Sequence, residues 1–425
     1  MIDIKLVREN REAIERKLKT KDPTIDLTLL CEYDTRLREL LTQVETLKHK
    51  KNSTSKAIGE LKRLGKDASD ALEEVSAFNE DIKTLDEQVR QTRELFEAEI
   101  SALPNIPFDH AKISHDPAEN VCIKTWGEKP KFNFQPKSHV ELNEKLGLFD
   151  FVRGAKISGS GWVVYSNLGA RLEWALINYM YETNLKNGFT PMMVPHCVRP
   201  EIMYGSGQLP KFASQLFKIQ DEDYQLYLIP TAEIALNGLH ADEILPSSEL
   251  PKMYMSYTPC FRREAGAAGK KEQGLIRVHQ FNKVELFCFT RQDESASIFE
   301  KMITSAETIL QGLGLHYRLA ELVTGDMSFG SSYTVDIEAY LSEQGIYKEV
   351  SSVSNCTDYQ SRRSNIRYRD QEGNLHLAHT LNGSSLATSR LMVAILESNQ
   401  QEDGSIKLPK VLADRLDFDT LTPTK

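Results

Sequence analysis

Arg262, Glu264, Arg277, Phe281 and Glu285 follow one another from Phe261 to Glu285, where two apolar stretches flank a run rich in glycine and lysine. A guanidinium binds phosphate through paired, planar hydrogen bonds, so Arg262 and Arg277 at the two sides of this segment can clamp a polyphosphate. Glu264 can accept from a purine amino group, and Phe281 offers a face on which the base can stack. Any one of these residues alone reads as a surface group. In this order on one hairpin, they point to a nucleotide site. The chain has no Gly-x-x-x-x-Gly-Lys-Ser/Thr loop and no Gly-x-Gly-x-x-Gly between a strand and a helix, so neither a P-loop nor a dinucleotide fold is indicated.

The elements that must hold this hairpin are strand-like and helical runs in alternation. Gln225 to Ile229, Lys283 to Phe289 and Tyr333 to Glu338 read as strands, and Leu168 to Leu185 and Ser295 to Leu313 as amphipathic helices. Strands arriving in hairpins predict a mixed, mainly antiparallel sheet flanked by helices, an α+β arrangement. Pro104, Pro107 and Pro117 mark a linker, placed at 104–116, between this region (117–425) and what precedes it.

Upstream, apolar positions step by three and four. Leu30, Tyr33, Leu37, Leu40, Val44, Leu47, Ile58 and Leu61 form one seam, with a polar break at Lys51 and Thr54, and Val75, Phe78, Ile82, Leu85, Val89, Thr92 and Phe96 form a second. This is the period of a coiled coil. Gly65 stops the first helix, and Asp67 or Ser69 can cap the next. So short a turn folds the pair into an antiparallel hairpin, about 28–100, within a helical region 1–103. At 1.5 Å per residue the first helix, Leu30 to Leu64, reaches on the order of 50 Å, longer than a compact domain needs, and is expected to project as an arm. Near its tip Lys48, Lys50, Lys51, Lys56, Lys62, Arg63 and Lys66 crowd together with Glu60 alone opposing them. A phosphate backbone is the natural partner for such a patch.

The bulk composition sets limits on partners. The chain has 425 residues with a formal net charge of -9 at pH 7, so nucleic acid can be met only by a local basic patch such as this one. The opening residues mix charges of both signs without an apolar stretch, which argues against a secretory signal. No apolar run reaches the ~18 residues of a membrane span. The six cysteines are scattered without a Cys-x-x-Cys pair, which suits reduced thiols in the cytoplasm and offers no zinc site.

The segment 261–285 resembles motif two of the class II aminoacyl-tRNA synthetases. Gly188-Phe-Thr-Pro-Met-Met-Val-Pro195 resembles motif one, which builds a dimer interface, and Leu386-Ala-Thr-Ser-Arg390 resembles motif three, whose arginine binds the γ-phosphate of ATP. Thr231-Ala-Glu233, Phe261-Arg-Arg-Glu-Ala-Gly266, Arg277-Val-His-Gln-Phe281, Glu349-Val-Ser-Ser352 and Thr380-Leu-Asn-Gly-Ser384 are similar to the pattern of bacterial-type seryl-tRNA synthetases. The helical hairpin is similar to that family's tRNA-binding arm.

The resemblance implies a class II catalytic domain at 117–425. It implies that Arg262, Arg277 and Arg390 serve catalysis, and that Thr231, Ala232, Glu233, Glu285, Asn382 and Ser384 surround L-serine. ATP would meet Arg262, Arg263, Glu264, Arg277, Val278, Phe281, Glu349, Val350, Ser351, Ser352 and Arg390. Glu349 and Ser352 would supply hard oxygen ligands for Mg²⁺. Lys48, Lys50, Lys51, Lys56, Lys62 and Arg63 would contact tRNA. The implied partners are tRNA(Ser), tRNA(Sec) and a second copy of the chain, with tRNA held across a homodimer and no membrane. A rival reading, a catalytically inactive synthetase-like RNA-binding or regulatory protein, predicts missing arginines or metal-site residues, and all are present. Two departures from the family pattern stand out: Lys270-Lys271-Glu272 in the motif-two loop, and Ser385 and Ser389 where motif three often has glycine.

Overall fold

The computed structural model describes residues 1–264 and 273–423, and the departure at Lys270-Lys271-Glu272 lies outside them. The chain forms two compact units, Ile2–Leu103 and Pro104–Lys425, with Met1 counted in the second.

In the first unit, α1 (Thr28–Arg63) and α2 (Ser69–Ser101) run antiparallel. Lys48 meets Asp86 at 3.6 Å, and Arg36 meets Gln88 at 3.3 Å. Leu30, Leu40, Val44 and Ile58 of α1 are buried, as are Ile82, Val89 and Ile100 of α2. The seam does not lapse at its polar break, because Lys51 and Thr54 are half-buried and keep the three-and-four spacing. Asp34 is a buried carboxylate that the apolar pattern gave no sign of. It accepts from Arg8 Nη2 at 2.6 Å and Arg38 Nε at 3.1 Å. Burial opposes its ionisation, but the Arg8 hydrogen bond and charge prevail and hold the carboxyl below its usual range. At the start of α2, Ser69 is the first helical residue, not the cap. Asp67 performs that turn, accepting from the Ser69 N–H at 3.0 Å and its hydroxyl at 2.6 Å.

The second unit is built on an eight-stranded sheet. Its strands are β1 (Val121–Trp126), β2 (Thr190–Pro191), β3 (Lys252–Phe261), β4 (Gln280–Thr290), β5 (Tyr317–Glu321), β6 (Tyr333–Leu341), β7 (Ile346–Asn355) and β8 (His379–Ala387). Their order is β1-β5-β6-β7-β8-β4-β3-β2. Every pair is antiparallel except β2 with β3, the segment where motif one was read.

Side chains alternate across a strand, so β4 serves two faces. Val284, Leu286 and Cys288 enter a core shared with α3 (Leu168–Lys186), α4 (Ser295–Gly312) and α5 (Thr388–Ser398). Phe287 and Phe289 join a second cluster with Ile229, Ile234 and Leu236. The same alternation leaves Phe281, Lys283 and Glu285 on one face. Gly383 sits where β7 and β8 approach closely, and a Cβ there would lie 3.2 Å from Val353 Cα, so a side chain would press on the neighbouring strand.

Candidate active site

Two adjoining cavities open over the middle of the sheet. The larger, about 350 Å³, is lined among others by Thr231, Glu233, Glu285, Ser352, Asn382 and Ser384. The smaller, about 40 Å³, is lined among others by Arg277, Val278, Phe281, Val350 and Arg390. Arg262, Glu264, Lys283, Glu349 and Ser384 line both. Register explains the convergence: Glu285 pairs with Ser384 across β4 and β8, and Asn382 pairs with Ser354 across β8 and β7.

In the larger cavity, Thr231 donates to Glu285 Oε2 at 2.7 Å and accepts from Lys283 Nζ at 2.8 Å. Lys283 also forms an ion pair with Glu285, and both side chains are buried. Removing one member of such a pair strands a charge, at a cost of ~3–5 kcal/mol. Lys283 therefore sets the orientation of both Thr231 and Glu285. It was not singled out from the sequence, although its two-residue spacing from Phe281 and Glu285 was the available signal.

Glu233 lines the same cavity. It accepts from Gln360 Nε2 at 2.7 Å and from Asn382 Nδ2 at 3.2 Å. Burial first, and repulsion from Glu285 second, push its carboxyl up to about 7. Gln360 is fixed in turn by Thr380, whose hydroxyl donates to it at 2.7 Å. Gln360 and Cys356 also line the cavity, from a helix and a strand end with no motif spacing to mark them.

The smaller cavity gathers the cationic groups. Arg262 lies over the Phe281 ring, 5.2 Å from its centroid, and donates to the Pro230 carbonyl at 3.3 Å. Arg277 pairs with Glu264 at 3.1 Å, and Arg390 Nη1 meets Glu349 Oε2 at 3.1 Å. Burial raises the Glu349 carboxyl, but the charges of Arg390 and Arg262 outweigh it and hold it below its usual range. Asp336 on β6 pairs with Ser352 across the sheet. Burial, followed by the neighbouring Glu349 charge, drives its carboxyl well above the usual range. Glu349, with 43% of its side chain open, and the half-buried Ser352 line the same cavity and present oxygen atoms of the kind a hard cation takes.

Not every residue implied by the sequence reaches these cavities. Ala232 and Ser351 are buried, and the Ser351 hydroxyl donates to the Ser384 carbonyl. Arg263 donates to the Ser214 carbonyl at 3.2 Å. None of the three lines either cavity. The departure at Ser385 finds a partner: its hydroxyl is buried and bonded to Asn184 Nδ2 of α3 at 2.6 Å. In the first unit, Lys50, Lys56, Lys62 and Arg63 are exposed along the second half of α1, Lys51 is half-buried in the seam, and Lys48 pairs with Asp86.

An antiparallel sheet carrying an arginine-lined hairpin beside an acidic pocket is the arrangement of a class II aminoacyl-tRNA synthetase core, and comparison with known proteins agrees. The tRNA synthetase class II core domain (G, H, P, S and T) matches residues 216–399, and the seryl-tRNA synthetase N-terminal domain matches residues 1–107. The serine–tRNA ligase of Chlamydia abortus is 48% identical over 412 residues, which is 97% of each chain. Seryl-tRNA synthetase from Pyrococcus horikoshii, solved complexed with ATP, superposes with a TM-score of 0.93 at 37% identity over the whole of both chains. The cytoplasmic serine–tRNA ligase of Naegleria fowleri, solved in complex with AMP, gives a TM-score of 0.88 at 26% identity, covering 100% of this chain and 99% of the other. The chain belongs to the seryl-tRNA synthetase family.

Proposed function

We infer that this protein activates L-serine with ATP and transfers it to tRNA(Ser), and that the two adjoining cavities are its amino-acid and nucleotide subsites. The observation that carries the reading is the shared wall. Arg262, Lys283 and Glu349 border both spaces, so a carboxylate held in one lies beside a phosphate held in the other. Glu285 and Thr231 accept and position the serine hydroxyl, while Glu233 receives its ammonium. An analogue lacking the hydroxyl leaves the buried Glu285 unpaired by substrate, which is how alanine is rejected.

Arg262 binds the α-phosphate, Arg277 and Arg390 lie towards the γ end, and Phe281 stacks the adenine. A serine carboxylate oxygen attacks the α-phosphorus, the bond to the β-phosphate bridging oxygen breaks, and pyrophosphate leaves with that electron pair. The nucleophile is already ionised, so no general base is needed and the protein contributes positioning and charge stabilisation. A hydroxyl of the terminal ribose of tRNA then takes the seryl group and AMP departs. Glu349 and Ser352 would hold Mg²⁺, which supplies charge neutralisation on the phosphates when bound.

The basic half of α1 is proposed to meet the tRNA backbone, with tRNA(Sec) as a second acceptor. The exposed Trp174 and Leu185 of α3 and Met193 within motif one suit a homodimer interface, for which a solution mass is the check. No helix among the described residues is long and apolar enough to cross a membrane, and a cytoplasmic location is proposed. The presence of every clamp and metal-site residue around the cavities disfavours the catalytically inactive alternative.

The position of Glu233 makes serine binding pH-dependent. Its pKa of about 7 leaves it protonated in more acidic solution, and a neutral carboxyl is a poor partner for an ammonium group. The apparent affinity for serine therefore rises as pH climbs towards 7 and levels off above it. Below the midpoint KM for serine should increase by up to about tenfold per pH unit while KM for ATP changes little. A flat serine KM between about pH 5.5 and 8 would remove Glu233 from ammonium recognition.

A further inference from the structure

Ser384, on the amino-acid side, and Arg390, on the nucleotide side, are joined by a bent piece of chain. β8 pairs with β4 through Glu285 and Ser384, Ser385 is then displaced as a bulge, and Leu386 resumes the ladder opposite Val284. Bulges re-aim the chain that follows them. Leu386 lies at φ 156°, a conformation L residues rarely adopt, so surrounding contacts must fix the bend.

Those contacts come from α3. Asn184 donates to the Ser385 hydroxyl at 2.6 Å and accepts from Ser305 of α4 at 2.8 Å. Three turns earlier on the same helix, Glu173 is only 4% exposed. Its Oε1 accepts from the Thr388 hydroxyl at 2.5 Å and from Asn282 Nδ2 at 2.9 Å. Thr388 is the first residue of α5, two before Arg390, and Asn282 stands between Phe281 and Lys283 on β4. The Thr388 hydroxyl also lies 2.9 Å from the Asn282 carbonyl. One buried carboxyl oxygen thus receives donors from both segments that carry the nucleotide-side groups.

We propose that Glu173 is a positioning residue that fixes Arg390 relative to Phe281 and so sets the affinity for ATP. The proposal rests on assigning the smaller cavity to the nucleotide. Glu173 lines neither cavity and acts only through Thr388 and Asn282. Burial pushes its carboxyl up to about 7, against the hydrogen bonds from Thr388 and Asn282. Both donors meet the oxygen that a glutamine amide would keep, which makes glutamine the conservative replacement.

The test is serine-dependent pyrophosphate exchange by the full-length protein, with ATP and serine varied separately. Glu173→Leu should raise KM for ATP about tenfold and leave KM for serine within about twofold. Glu173→Gln should stay within about twofold of the unaltered protein in both. Thr388→Val, which deletes one hydroxyl, should raise KM for ATP by a smaller factor and decides the matter should Glu173→Leu fail to fold. Equal increases in both KM values, loss of kcat at unchanged KM for ATP, or a Gln variant as damaged as Leu would overturn the proposal. Arg390→Ala separates the two levels of the argument. Undiminished exchange in that variant would refute the nucleotide assignment itself. Suppressed exchange, combined with an unchanged KM for ATP in the Glu173 and Thr388 variants, would refute only the role of Glu173.

Discussion

Serine-dependent exchange of pyrophosphate into ATP falls by about 10²–10³-fold when Arg262 is replaced by alanine, the range found for removing one preorganised donor to developing charge. Arg262 lines both cavities, and its guanidinium is already aimed, held over Phe281 and tethered to the Pro230 carbonyl. It contributes to keeping Glu349 ionised, so its loss also weakens the wall proposed to hold the metal. Arg262→Lys recovers little of the rate, because an ammonium cannot present two parallel N–H groups to a phosphate. Exchange at the original rate in Arg262→Ala would take this residue out of the phosphate clamp.

The second large effect separates the two units. Deleting Leu30 to Phe96 should leave pyrophosphate exchange within about twofold and lower kcat/KM for charging tRNA(Ser) by about 10²-fold or more, since phosphate contacts supply much of RNA affinity. The two long helices bury their own seam, and the sheet unit has a separate core, so each has the packing to stand without the other. The effect on charging should shrink as salt rises, because the contacts proposed for Lys50, Lys56, Lys62 and Arg63 would release counterions. Exchange and charging lost in equal proportion would refute the arm's assignment to tRNA.

What the sequence made legible followed from short-range rules. The three-and-four spacing of Leu40, Val44 and Ile58 marked the face that the hairpin buries. The order Arg262, Glu264, Arg277, Phe281 placed one wall of the smaller cavity, and two-residue alternation on β4 put Phe281 and Glu285 on the same face.

Lys283 shares that alternation, yet a lysine in a strand reads as solvated until the Thr231 and Glu285 contacts are seen. Gln360 reaches the site through Glu233, 127 positions away, and Asp336 comes beside Ser352 through the register of β6 with β7, neither of which a local pattern encodes. Asp34 reads as a surface acid because its partner Arg8 lies on a different helix. The serine at 385, unusual against the family pattern, makes sense once Asn184 of α3 is placed beside it.

The most direct test of the central claim is pyrophosphate exchange by the unaltered protein with each of the common amino acids in turn. The architecture of Thr231, Lys283 and Glu285 predicts rapid exchange with serine, and exchange with alanine lower by about 10³-fold or more, as a site built to bond a substrate hydroxyl requires. Exchange that is absent with serine, or faster with another amino acid, would contradict the account.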